Sequence, residues 1–254
     1  MKQKYPILEF DPERKAIIEP GEHSNPMDIA EHCVICFFRE VFDKMLAEYD
    51  ARLMFEDNWE VDRVQFYEIN YEGRRLALFR PYIGAPIAAG MLEQAIALGC
   101  RKFTACGGAG VLNRDIAVGH IMVPASAIRD EGTSYHYLPP EREVAASPEA
   151  VAAIEQTLKS RHIPYNACKT WTTDAPYRET KDKVELRRDE GCLTVEMEAA
   201  AFFAVAQFRN VTFGQILYGG DDVSGENWDE RGWASRISIR EKLFHLAVES
   251  CFRL

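Results

Sequence analysis

Apolar and charged positions alternate at helical spacing between residues 27 and 48, where Ile29, Cys33, Cys36, Phe37, Val41 and Met45 fall on one face. The spacing predicts a helix there, followed by a charged, aromatic loop over 49–60. Val64 to Asn70 and Leu76 to Phe79 flank Tyr71-Glu72-Gly73-Arg74-Arg75, the pattern of a β-hairpin with glycine in its turn. Pro86 stands where the first residue of a helix belongs. Ala88, Met91, Leu92, Ala95 and Leu98 then carry that helix to its stop at Gly99. Lys102 to Cys106 reads as a buried strand, and further strands are expected at Ala117 to Pro124, Ser126 to Ile128, 164–173 and Val211 to Tyr218. Ser147 and Pro148 signal another helix start, with Val151, Ile154 and Leu158 on its inner face. Val195 to Phe208 is apolar almost all round and predicts a buried helix. Ile237, Ile239, Leu243, Leu246 and Val248 mark a last amphipathic helix. Near the start, Ile17-Ile18 reads as a short strand feeding the turn at Pro20-Gly21.

Strands and helices alternate without a long linker or a repeat. The expected architecture is α/β: a single domain over residues 1–254, three layers (α/β/α), with a central mixed, mostly parallel sheet. In such sheets ligands sit at the carboxyl ends of strands, so Gly107–Gly110, Thr172–Tyr177 and Gly219–Asp222 should converge. A net charge of −10 with no basic run argues against nucleic acid or an anionic membrane as the main partner. The first residues lack the apolar core of a secretion signal, and no apolar run approaches the roughly 20 residues of a membrane span. Seven scattered cysteines, an odd number, fit reduced thiols and a cytoplasmic location. Cys33 and Cys36 read as core residues one helical turn apart, and no metal site is expected.

The candidate chemistry lies in five places. Glu196 and Glu198 open the apolar helix, two residues apart, and point to different sides. A buried carboxylate needs a partner, either ligand hydroxyls or the helix N-terminus itself. Gly107-Gly108-Ala109-Gly110 allows close approach of backbone to a ligand, or forms a plain tight turn; it lacks the spacing of dinucleotide or P-loop motifs. The turn at Gly21 is a second plausible anion seat. Asp221 and Asp222 follow Gly219-Gly220 as a carboxylate pair in which one pKa would rise, or as a solvated turn. The polar, aromatic stretch Arg129–Tyr137 has the character of a site-lining loop.

Four stretches in order resemble the nucleoside phosphorylase/nucleosidase family, of the purine nucleoside and uridine phosphorylase type. They are Val195-Glu196-Met197-Glu198-Ala199-Ala200-Ala201, Cys106-Gly107-Gly108-Ala109-Gly110-Val111-Leu112 with Ile116–Val123, Tyr82-Ile83-Gly84-Ala85-Pro86, and Leu217-Tyr218-Gly219-Gly220-Asp221. The resemblance implies cleavage of a purine or pyrimidine nucleoside by phosphate to free base and (deoxy)ribose 1-phosphate, a reaction of nucleoside salvage. It places Glu198 and Met197, with Glu196, at the ribose, and Tyr177 and Arg178 at the base. Asp221 or its neighbour Asp222 would be the general acid. Gly21, Thr104, Gly107 and Gly108 fall at the phosphate positions. Inorganic phosphate is the implied co-substrate, with no cofactor and no metal, and the chain is expected to form a homo-oligomer (dimer, trimer or hexamer). The sequence departs from the family pattern where phosphate would be clamped. Thr104 stands in place of an arginine, Gly107 in place of a serine or threonine, and no arginine follows Gly21. Arg39, Arg52 and Arg80 are candidate substitutes, and Tyr5 is a candidate stand-in for the family's N-terminal histidine. A hydrolytic nucleosidase is therefore the alternative, and a non-catalytic nucleoside-binding protein the rival from another class.

Overall fold

In the computed structural model, which describes residues 2–22, 26–60 and 62–254, the first strand is also the first departure from the hydrophobic pattern. Residues 27–48 divide into β1 (His32–Cys36) and α1 (Arg39–Glu48). Cys33 to Cys36 is a short run of four buried residues, and periodicity alone does not tell such a run from a helix. Parallel neighbours on both sides decide it as a strand. The expected loop at 49–60 contains β2 (Arg52–Asn58), a mostly exposed edge strand with poor intrinsic propensity that exists by pairing with β3 (Arg63–Tyr71). β3 and β4 (Arg74–Phe79) form the anticipated hairpin. Its turn puts Glu72 and Gly73 at φ 51° and 85°, the doubly positive geometry that suits a tight hairpin. α2 (Ala85–Leu98) carries proline in its first turn and ends on Gly99 at φ 135°.

The chain continues as β5 (Lys102–Val111), β6 (Ile121–Asp130), β7 (Glu143–Ala145), α3 (Pro148–Ser160), β8 (Tyr165–Thr173), α4 (Lys181–Asp189), β9 (Cys192–Glu196), α5 (Ala199–Arg209), β10 (Thr212–Asp222) and α6 (Ile237–Cys251). Two expected strands at 117–128 are thus one strand. Ser147 occupies the N-cap position of α3, but its hydroxyl accepts the Phe213 N–H instead of capping. Ile17 and Ile18 form no strand and lie exposed, the first almost fully.

Neighbouring strands run β10-β6-β8-β9-β5-β1-β4-β3-β2, and β10 also pairs with β5. The strands β5, β9, β8, β6 and β10 therefore close on one another, while β1, β4, β3 and β2 extend the sheet to one side. Parallel pairings join β1 to β4 and β5, β5 to β10, and β6 to β8 to β9. β9 meets β5 antiparallel, with Gly110 opposite Val195. α2 and α5 cover one face of the sheet and α1, α3 and α6 the other, each over its own apolar cluster. β5 is buried on both faces along most of its length, as a strand between two helix layers must be.

No helix among the described residues is long and apolar enough to cross a membrane. All seven cysteines are buried and free, with Cys33 and Cys36 on a strand and not a helix.

The layer spacing is set closely at Gly214, where an added Cβ would lie 2.9 Å from Ala150 Cβ and 3.0 Å from Ile154 Cδ1. Gly214→Ala should cost about 1–3 kcal/mol by overpacking α3 against β10. Urea unfolding will read this as a lower midpoint at unchanged slope; an unchanged midpoint would contradict the close approach.

Candidate active site

β9 ends where the predicted helix was to begin, and this break builds the site. Glu196 is the last residue of β9, Met197 and Glu198 form a bend, and α5 starts at Ala199. The buried N-terminus of α5 leaves N–H groups that need acceptors. Glu196 supplies them: its carboxylate accepts from Glu198 N at 2.7 Å and Ala199 N at 2.6 Å, and also from the Thr172 hydroxyl at 2.6 Å. Thr172 in turn accepts from Ala200 N. Glu198, at the N-cap itself, makes no capping bond. Its carboxylate instead reaches across to accept the Gly84 N–H at 2.6 Å, from the turn that precedes α2. Gly84 holds φ 109°, a backbone state that favours glycine there.

Both carboxylates are buried. Burial pushes the Glu198 carboxyl up to about 8, with repulsion from Glu196 adding to it and the Gly84 N–H opposing. Burial raises Glu196 less, to about 7, because Thr172 and the two helix N–H groups favour its charged form.

These residues line a cleft of about 420 Å³. Its floor is Gly107–Gly110. The three expected strand ends do converge here, but the glycines lie within β5, paired with Leu217 and Tyr218 of β10, and form no loop. Their lack of side chains makes the space. A Cβ on Gly108 would meet the Tyr218 ring at 3.3 Å, and one on Gly110 would meet Val195 Cγ1 at 3.0 Å and the Asp221 carboxylate at 3.6 Å.

Asp221 faces the cleft from the end of β10, and its Oδ2 accepts from Trp228 Nε1 at 2.7 Å. Glu179, after β8, lies in the same wall. Burial pushes its carboxyl up to about 7, and the charge of Asp221 adds to the rise. Asp222 turns away. It is buried, accepts from Ser224 N, and pairs with Arg231 at 3.0 Å. Burial raises its pKa, but the Ser224 bonds and Arg231 outweigh that and hold it below the usual carboxylate range. It lines neither the cleft nor the hollow beside it, so of the two aspartates only Asp221 faces the cleft.

Tyr177 is almost fully exposed and lines that adjoining hollow with Asp221, Glu179 and Trp228. Arg178, in the same turn, lines neither space. Two of the phosphate positions also fall outside the cleft. Thr104 is buried mid-strand between Val34 and Gly214. Gly21 sits in a short turn packed on α2. His23, Ser24 and Asn25 lie outside the described residues. Arg52 pairs with Glu68, and neither Arg52 nor Arg80 lines the cleft; Tyr5 and the 129–137 segment do not either.

The hydrophobic pattern puts Phe37 to Glu40 inside a helix, whereas the structure makes this stretch the turn from β1 to α1 and a wall of the cleft; of its residues only Arg39 is a candidate from sequence. Glu179, Trp233 and Arg240, also in the lining, carry no local signal in the sequence. Glu40 and Arg240 form an ion pair across 200 residues of chain, which no local pattern announces. Among the described residues, no group of three or more His, Cys, Asp or Glu side chains is placed to hold a metal.

Comparison with known proteins bears on the family and the fold. The profile of the phosphorylase superfamily matches residues 31–247. The chain is 32% identical over 178 residues to a guanosine phosphorylase of Halorubrum lacusprofundi, covering 68% of this chain and 71% of that protein. It is 26% identical over 159 residues to a uridine phosphorylase of Thermococcus kodakarensis, covering 58% and 57%. In fold it matches a uridine phosphorylase from Vibrio fischeri with a TM-score of 0.77 at 19% identity, over 89% of this chain and 93% of that one. An AMP nucleosidase from Bacteroides thetaiotaomicron matches with a TM-score of 0.69 at 22% identity, over 88% and 87%.

The carboxyls of Glu179, Glu196 and Glu198 are all raised, so the folded state binds protons that the unfolded chain has released. Stability is then greatest at acid pH, near the ordinary carboxylate range, and is lost as pH rises through about 7 to 8. Urea unfolding between about pH 5 and pH 9 should show this decline, and Glu198→Gln should flatten it. A wild-type profile with no decline would contradict the buried carboxylate pair.

Proposed function

The chain belongs to the phosphorylase superfamily, and on that premise we propose that it is a nucleoside phosphorylase, which cleaves the N-glycosidic bond of a purine or pyrimidine nucleoside with inorganic phosphate. The products are free base and (deoxy)ribose 1-phosphate. One observation carries the reading. Glu198 and Asp221 share one cleft over the glycine-rich end of β5, while their neighbours Glu196 and Asp222 are committed to a helix N-terminus and an arginine.

Glu198 accepts the ribose hydroxyls, and Met197 packs under the sugar. As the glycosidic bond breaks, positive charge develops on the sugar ring; that charge favours the ionised form of Glu198, whose raised carboxyl is held in place by Gly84 N–H, and the two stabilise each other. Asp221 delivers a proton to a base nitrogen, so that the base leaves neutral. Trp228 holds one of its oxygens, which leaves Oδ1 for the base. Tyr177 and Trp228, both largely exposed, supply ring faces at the base side. Phosphate attacks the anomeric carbon from the Gly107–Gly108 side.

A specific observation favours hydrolysis as the second reading. Among the described residues the cleft is lined by two cations, Arg39 and Arg240, and each already has a carboxylate partner, Asp43 and Glu40. Water in place of phosphate would need neither. The free, buried cysteines support a cytoplasmic protein. Exposed Tyr5, Ile17, Ile18 and Ile83 support assembly as a homo-oligomer.

A panel of nucleosides incubated with and without phosphate, with the sugar product identified, decides between the two. Ribose 1-phosphate formed only with phosphate is expected; free ribose regardless of phosphate would reject phosphorolysis. Asp221→Asn should lower kcat by about 10²–10⁴ while nucleoside binding is kept. Full activity in that variant would remove Asp221 from the acid role. Glu198→Gln should weaken ribosides more than free bases, and equal weakening would sink the sugar contact.

A further inference from the structure

Arg240 projects from α6 into the cleft and is 8% exposed. Its guanidinium lies 5.1 Å from the Phe38 ring centre and 5.2 Å from that of Trp233. Nε donates to the Tyr218 hydroxyl at 3.1 Å and Nη1 to Glu40 at 2.5 Å. Nη2 makes no hydrogen bond to a described residue. A buried guanidinium is costly without an anion beside it. Glu40 supplies that anion, and it is the looser partner: its side chain is 37% exposed against 9% for Arg240. Burial raises the Glu40 carboxyl, but Arg240 outweighs that and keeps it charged. Both groups line the cleft beside Gly107 and Gly108.

We propose that Arg240 is the cation that binds an inorganic oxyanion in this cleft, and that Glu40 is its built-in competitor, displaced when the oxyanion arrives. The identity of the oxyanion as phosphate rests on the phosphorolytic reading above. The geometry explains how a cleft without arginine at Thr104 or after Gly21 still holds a cation. A planar guanidinium with donors left over on Nη2 and Nη1 takes a tetrahedral oxyanion through two parallel bonds. The Phe38 and Trp233 rings packed near it restrict its motion, so little freedom is lost on binding. Glu40, at the start of α1 and partly in solvent, swings out without leaving a buried charge unpaired.

Calorimetric titration with inorganic phosphate tests this on the wild type, Glu40→Gln, and Glu40→Gln/Arg240→Met, which removes both charges together. Glu40→Gln should lower the phosphate Kd about tenfold, because the competing charge is gone. The double variant should lose phosphate binding, and circular dichroism will report whether it is folded. If it is not, Glu40→Gln decides alone. A phosphate Kd unchanged or raised in Glu40→Gln overturns the assignment, as does absence of binding in both that variant and the wild type. Tighter phosphate in Glu40→Gln together with release of free ribose by the wild type would reject the phosphorolytic reading and keep Arg240 as the oxyanion site.

Discussion

The structure depends on how the N-terminus of α5 is satisfied. This helix is buried along nearly its whole length, so water cannot reach its first N–H groups. Glu196 and Thr172, both from strands, accept them instead. The solution uses one carboxylate entirely and leaves the next, Glu198, reaching the Gly84 N–H and facing the cleft. Two glutamates that look alike in the chain are thereby given different work.

The closing of β5, β9, β8, β6 and β10 on one another places this helix start. β5 pairs with β10 along its whole length, and on its other edge with β1 over its first half and with β9 at its end. At that crossing the backbone must be bare. Gly110 admits Val195 and the Asp221 carboxylate within 4 Å, and Gly108 admits the Tyr218 ring. The glycine run thus serves packing and site together: the same missing side chains that let strands approach leave room above them.

Charge in the cleft is unusually one-sided. Glu40, Glu179, Glu196, Glu198 and Asp221 all line it, against Arg39 and Arg240. Burial answers this by raising the carboxyls of Glu179, Glu196 and Glu198. Carboxyls so raised ionise more readily when positive charge develops on a sugar beside them, and any anionic co-substrate depends on the few cations present.

The chain by itself determined the elements whose cues are local. The hairpin at Gly73, the helix between Pro86 and Gly99, and the last helix follow from turn chemistry and periodicity within a dozen residues. The ordered motifs around Glu198, Gly107 and Asp221 also carried the family and the architecture. Tertiary structure decided the rest, wherever a local pattern was compatible with two outcomes. Cys33–Cys36 became a strand because β4 and β5 flank it, and Arg52–Asn58 because β3 offered an edge. Val195-Glu196 stayed in a strand because β5 and β8 pair with it, which turned Glu196 into the cap. Asp221 and Asp222 were equivalent until Arg231 took one of them. The pairing of Glu40 with Arg240 joins residues 200 positions apart, and only the folded sheet brings α1 and α6 together, because sequence periodicity records which face of an element is buried and not what it is buried against.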